Sequence, residues 1–141
     1  MEAQYAEAKG ELLIEEKSKI TTVTVKDFSP SGARIDYNIQ GEVKGKYTAN
    51  HMETLNLTIK PDGTSDGESK AIQLTRDGDT IFVTSKGRGR SSGPTTVIAE
   101  GEANFQTPSA KLAWLNSTKA RFEATVDLIT GEIRTKYYAS K

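Results

Sequence analysis

The longest pattern in this chain is an alternation that holds odd parity without a break from Ala33 to Ile59. Its members are Ala33, Ile35, Tyr37, Ile39, Gly41, Val43, Gly45, Tyr47, Ala49, His51, Glu53, Leu55, Leu57 and Ile59. A β-strand sends alternate side chains to opposite faces, so one largely apolar face also carries His51 and, two residues on, the carboxylate of Glu53. As one straight strand the run spans about 90 Å at ~3.3 Å per residue, far beyond a normal strand. A three-residue loop, Glu42-Val43-Lys44 between Gly41 and Gly45, reverses the chain and preserves the parity, whereas a two-residue loop switches it. The rival is one coiled strand kinked at its glycines, as barrels use at corners.

Turn signals recur at Ser29-Pro30-Ser31-Gly32, Pro61-Asp62-Gly63-Thr64, Arg76-Asp77-Gly78-Asp79, Ser91-Ser92-Gly93-Pro94 and Thr130-Gly131. Between them lie segments rich in Thr, Val, Ile, Tyr and Phe, the pattern of an all-β sandwich or barrel. Strands are expected at 10 to 16, 19 to 27, 33 to 43, 46 to 60, 68 to 76, 79 to 88, 95 to 107 and 119 to 129, with 132 to 139 as a ninth candidate. Ala120, Phe122, Ala124, Val126 and Leu128 are expected to face inward. The apolar register changes from even at Leu12, Ile14 and Ile20 to odd at Val23 and Val25. A bulge or a break is therefore expected near residues 20 to 23, and one strand or two remain open.

Only Pro108 to Asn116 reads as helical. Ser109 is a candidate N-cap, Leu112 and Leu115 lie one turn apart, and Asn116 can end the turn in a left-handed conformation. A short apolar helix between two strands, carrying the chain's one Trp, suits a lid or a packing plug for one end of a barrel.

Charge and composition narrow the function classes. Nineteen basic residues balance nineteen acidic ones, which argues against nucleic-acid or acidic-membrane binding by bulk electrostatics. Zero net charge also removes self-repulsion and is compatible with a homo-oligomer. With no cysteine, disulfides, thiolate metal sites and cysteine nucleophiles are excluded. No run approaches the ~18 to 20 apolar residues of a membrane span. The first residues lack the pattern of a secretory signal, so a cytoplasmic location is the default expectation.

His51 and Glu53 sit about 7 Å apart on one strand face and can serve one small ligand, with Tyr47 four residues before and Tyr37 across the hairpin. An imidazole passes protons near neutral pH, and a carboxyl in an apolar setting tends to keep its proton, so the two can form an acid-base pair. Equally, they can be hydrogen-bonded structural residues of a barrel interior or lie at its mouth. Gly87-Arg88-Gly89-Arg90-Ser91-Ser92-Gly93 lacks the Gly-Lys-Ser/Thr ending and following helix of a phosphate loop. Its glycines read instead as relief of crowding where a sheet closes, with Arg88 and Arg90 outward. Glu100, Glu102, Asn104 and Gln106 share a face that reads as solvated, although paired carboxylates can also hold a hard cation. Asp62 to Glu68 reads as a hairpin turn, because it lacks the pattern of a calcium loop.

Gly45-Lys46-Tyr47, Glu53-Thr54, Pro61-Asp62-Gly63-Thr64, Asp77-Gly78-Asp79, Gly87-x-Gly89 and Glu100-Gly101 resemble the rhythm of small uncharacterised bacterial and archaeal barrel proteins. Those are similar in turn to the allene oxide cyclase-like barrels, antiparallel eight-stranded barrels with a cavity. The resemblance covers about residues 33 to 107. It implies a closed barrel, oligomerisation and no cofactor, and it transfers no catalytic residue to a position here.

The expected fold is thus a single all-β domain over residues 1 to 141, an antiparallel β-barrel of about eight strands with one short helix near residues 109 to 116. The leading expectation for function is binding of a small, partly apolar molecule in the barrel, anchored by Tyr37, Tyr47, His51 and Glu53, with no metal and no cofactor. The alternatives are a cofactor-independent isomerase or cyclase using His51 or Glu53 as acid-base, and a structural or interaction protein with a filled barrel.

Overall fold

In the computed structural model, which describes residues 9–140, eight strands form a closed antiparallel barrel in the order of the chain. They are β1 (Lys9–Ser29), β2 (Gly32–Gly45), β3 (Ala49–Ile59), β4 (Thr64–Thr75), β5 (Thr80–Ser91), β6 (Thr96–Gln106), β7 (Lys119–Asp127) and β8 (Glu132–Ser140). Neighbours in sequence pair in space, and β1 closes the ring against β8. Closure leaves both edges of the sheet partnered along that seam.

Segments 10 to 16 and 19 to 27 are one strand of 21 residues, which makes the total eight. Register shifts at Ile20/Thr22 and Val25/Asp27 carry the parity change, so the expected bulge is present. A further shift between Lys9 and Ile14 turns Leu13 inward and leaves Leu12 exposed, against the even register anticipated for Leu12. The first half of β1 pairs with β8 as far as Lys19↔Glu132, and the rest pairs with β2 alone. Strands β1 to β3 therefore extend beyond the rim set by β8.

The odd register is a hairpin, with its turn four residues later than anticipated. Gly41 stays inside β2, and Lys46-Tyr47-Thr48 makes the reversal between Gly45 and Ala49. A Cβ on Gly41 would collide with the Lys17 carbonyl and with Ser18, so this glycine serves close approach of β1. Gly45 has a φ of 153° and lets Lys46 N–H reach the Leu13 carbonyl at 2.9 Å. The last β2–β3 pair is Val43↔Ala49, so five residues separate the paired positions, and this odd number keeps the parity through Gly41↔His51.

One end of the barrel is plugged. The helical element is a 3-10 turn, Ala113–Ser117, without a side-chain cap. Ser109 instead donates its N–H to Thr107 Oγ1. Asn116 does not adopt positive φ; its amide clamps both backbone groups of Thr107, at 2.8 and 3.0 Å. Leu112 and Leu115 enter the core with Leu13, Val43, Ile81, Val83, Phe105 and Tyr137, while Trp114 stays partly exposed. Leu128 lies past the end of β7 and is exposed rather than inward.

On the outer face, many cross-strand partners are opposite in sign, although Glu100 faces Glu123 and Lys17 faces Arg134. Asp66 faces Arg88 and Arg88 faces Glu100; further round, Glu123 faces Lys136, Lys136 faces Glu15, and Glu15 faces Lys44. Such pairs favour this registry, and they are the opposite of the apolar outer band a lipid-facing barrel presents. Among the described residues no helix is long and apolar enough to cross a membrane.

Candidate functional site

Directly opposed residues of paired strands share a face, so one buried reference position assigns the rest. His51 is buried. Leu55 and Leu57, in its parity on β3, therefore face inward, and their partners Tyr37 and Ile35 do too. Val23 and Val25, opposite Tyr37 and Ile35, complete an apolar inner surface at the unplugged end. These upper residues are half-buried or exposed. The lumen is thus open at the end away from Leu112 and Leu115.

Between the apolar rim and the plug lies a layer of buried polar groups. His51 Nε2 is 2.8 Å from Glu53 Oε1 and 3.4 Å from Glu16 Oε1. Glu16 accepts hydrogen bonds from Tyr137 Oη at 2.7 Å and from Ser18 Oγ at 2.5 Å. On the other side of the imidazole, Gln73 Nε2 lies 3.0 Å from His51 Nδ1, and Gln73 Oε1 accepts from the Tyr47 hydroxyl at 2.5 Å. Ser69 and Ser85 hydrogen-bond each other at 2.5 Å. Each buried polar group thereby finds a partner, which keeps its desolvation tolerable.

Access within the cluster is graded. The Glu53 side chain is 12% exposed, against 1% for His51 and 2% for Glu16. Glu53 is therefore the member a molecule in the lumen meets, and His51 and Glu16 stand behind it.

The titration of these groups is set by burial and by each other. Burial raises Glu16, and the Glu53 charge adds to this. His51 and the hydroxyls of Ser18 and Tyr137 oppose it, and the result lies above the ordinary value. Burial pulls His51 down, but its hydrogen bond to Glu53 and the charges of Glu16 and Glu53 outweigh it, so the imidazole also rises. Both shifts favour proton retention, and the groups titrate as a cluster. Burial and the Glu16 charge raise Tyr137 and Tyr47, and burial raises Tyr37, keeping these phenols protonated hydrogen-bond donors.

Of the four anticipated anchors, His51 and Glu53 are in direct contact. Tyr47 lies in the turn before β3 and reaches His51 only through Gln73, and Tyr37 stands higher in the lumen opposite Leu55. Sequence reasoning missed Glu16, Gln73 and Tyr137. Each sits in a readable alternation, Ile14-Glu16-Ser18, Ser69-Ala71-Gln73 and Ile133-Thr135-Tyr137, but no local pattern says that three distant strands meet. Glu16, His51 and Glu53 also bring three potential ligand atoms within 4.8 Å of one another. That spacing is compatible with a divalent ion, and an equally complete hydrogen-bond network already satisfies the same atoms.

A depression of about 1460 Å³ touches this layer at Glu16 and Thr135 and includes inward Ala99 and Ala124. It continues over outward Glu15, Arg88 and Lys136, so it is open rather than enclosed, and His51 and Glu53 do not line it. The β5 glycines Gly87 and Gly89 relieve crowding, as anticipated: a Cβ on Gly87 would lie 2.8 Å from Phe122 Cζ and collide with the Glu100 carbonyl. Arg88 and Arg90 point outward, and Arg88 approaches Asp66 at 3.9 Å. At residues 62 to 64 an Asx-type turn forms, with Asp62 Oδ1 accepting from the Thr64 N–H and hydroxyl.

No family model and no curated protein matches this sequence. Solved structures do match in fold. A protein of unknown function from Clostridium acetobutylicum ATCC 824 superposes with a TM-score of 0.83 at 16% identity, covering 93% of this chain and 97% of that one. A β-barrel-like protein from Acinetobacter baumannii AYE gives 0.78 at 21% identity, covering 93% and 94%. An enzyme from Penicillium herquei gives 0.67 at 20% identity, covering 95% and 96%. At these identities the likeness is one of fold: this chain is a closed antiparallel eight-stranded barrel, similar to proteins of unknown function and to an enzyme.

Proposed function

We propose that the barrel binds a small, partly apolar molecule that enters by the open end and rests its polar end on Glu53. One observation carries this reading: the inner face is half-exposed and apolar at Ile35, Tyr37, Leu55 and Leu57, and turns polar at Glu53 and His51. A pocket that is mostly apolar with few convergent polar groups is the usual form of a small-molecule site. The resemblance to allene oxide cyclase-like barrels, whose members enclose a cavity, supports the same reading.

A second reading, a cofactor-independent isomerase or cyclase, is favoured by the arrangement behind Glu53. There the imidazole Nε2 faces two carboxyl groups, with Tyr137 hydrogen-bonded to one of them. Such a chain can take a proton from a bound molecule at Glu53 and return it at a neighbouring atom of the same molecule. The fold likeness to an enzyme is consistent with it.

Native mass spectrometry of the gently purified protein, with fluorescence titration of the neutral dye N-phenyl-1-naphthylamine, tests the binding reading. Saturable binding that Leu57→Glu abolishes while the circular dichroism stays unchanged is the expected result. No adduct and no dye binding would leave the filled structural barrel as the better description. Turnover of an identified ligand that Glu53→Gln removes, with binding retained, would establish the second reading.

A further inference from the structure

The sign of charge inside the lumen narrows what it can hold. Following the register strand by strand, the described inward positions carry Glu16 and Glu53 as their acidic groups and His51 as their one basic group, with no lysine or arginine among them. The cations of the described strands are on the outer parity, where Arg88 and Lys136 face Glu100 and Glu15. A site built for a carboxylate, sulfonate or phosphate normally offers guanidinium, ammonium or converging N–H donors.

The donors around Glu16, His51 and Glu53 are also directed away from a ligand. Tyr137 and Ser18 give their hydroxyls to Glu16, Tyr47 gives its own to Gln73, and the Gln73 amide nitrogen is turned to His51. What Glu53 presents to the lumen is an acceptor. The positive charge a protonated His51 supplies is matched by Glu53 at 2.8 Å and Glu16 at 3.4 Å before any ligand arrives.

We propose that the lumen selects against anions, and that its ligand is an apolar molecule ending in a neutral or cationic hydrogen-bond donor such as a hydroxyl or an amine. This rests on the binding reading above and adds to it a specificity determinant, the carboxyl pair of Glu53 and Glu16. The apolar body lies against Leu55, Leu57 and Ile35, and the donor is received by Glu53. Tyr37, which both donates and accepts, stands where the body passes and does not change the sign of the site. An anionic end group at the same depth would lose its hydration and meet the acceptor oxygens of Glu53, with no lysine or arginine on the described inward positions to receive it.

N-phenyl-1-naphthylamine and 8-anilino-1-naphthalenesulfonate share one aromatic body and differ by the sulfonate. Titrating the first by fluorescence, and then competing with the second, reads the discrimination directly. The neutral dye is expected to bind at least about tenfold more tightly. In Glu53→Gln, and in the Glu16→Gln/Glu53→Gln double variant, the gap is expected to shrink through stronger binding of the sulfonate. Equal affinities for the wild-type chain, or a gap unchanged in a folded Glu53→Gln variant, would overturn the anion-exclusion inference and leave the binding reading standing. Failure of the neutral dye to bind would remove both.

Discussion

Gln73 presents its side-chain nitrogen to His51 Nδ1 at 3.0 Å while its oxygen receives the Tyr47 hydroxyl. An amide nitrogen only donates, so Nδ1 is the acceptor and the imidazole proton sits on Nε2, directed at Glu53. A second proton on Nδ1 requires the Gln73 amide to turn over, giving its oxygen to the ring and its nitrogen to Tyr47. Protonation of His51 and orientation of Gln73 are therefore one event. Long-range proton-nitrogen NMR is expected to show Nδ1 unprotonated in the neutral form, with the Gln73 side-chain amide signals shifting in the same step as the ring on acidification. Independent titration of the two would contradict the linkage.

Replacing Gln73 by Met keeps its volume and deletes both hydrogen bonds. Tyr47 and His51 are then left with buried groups lacking a partner, at about 1 to 3 kcal/mol each. Urea denaturation of Gln73→Met is expected to show a loss of about 2 kcal/mol or more with little change in slope.

Glu16 and His51 both lie above their ordinary values of 4.5 and 6.5. The folded chain therefore holds these protons more tightly than the unfolded one. The resulting stability is fully present below the ordinary values and is lost as pH rises through the folded ones. Glu16→Gln removes the carboxyl and keeps its shape. Its thermal midpoint is expected to fall less than that of the wild-type chain between about pH 5 and about pH 8. A parallel pair of curves would show that Glu16 does not carry the effect.

Gly101 tests the closure of the wall. A Cβ there would collide with the Lys86 carbonyl and lie 2.6 Å from Gly87 Cα and 2.7 Å from Phe122 Cε2. Two of these three neighbours are backbone, so rotamer changes cannot relieve the crowding. Gly101→Ala is expected to cost about 3 kcal/mol or more by chemical denaturation. Gly63→Ala, at a turn with nothing within 4 Å but a φ of 87°, serves as a control for backbone strain alone.

Leu115 is fully buried at the plugged end. Truncation to Ala removes a core side chain and leaves a cavity, a loss of about 2 to 5 kcal/mol. Because the polar layer lies beyond the plug, dye affinity of folded Leu115→Ala is expected to stay within about threefold of wild type, while the denaturation midpoint falls.

How much of this was readable differs from element to element. The alternation from Ala33 to Ile59 placed His51 and Glu53 on one inner face, and the parity argument predicted a hairpin with a three-residue loop, where five residues separate the last pair, Val43↔Ala49. It put that turn at 42 to 44, because Gly41 looks like punctuation when read locally. Only the neighbouring strand reveals that Gly41 is small so that β1 can approach it. At the plug, the one-turn spacing of Leu112 and Leu115 in the sequence matches their burial, while Trp114, between them, stays partly exposed.

By itself the sequence determined the class of fold and the inner parity of most strands, because side-chain alternation is a property of each strand alone. The tertiary structure decided what meets inside. Glu16 on β1, His51 and Glu53 on β3, Gln73 on β4 and Tyr137 on β8 converge only because closure brings the first strand against the last, and Tyr137 reaches Glu16 across 121 positions of chain. Bringing groups that far apart together is a consequence of strand order and barrel closure, which no local window of residues encodes.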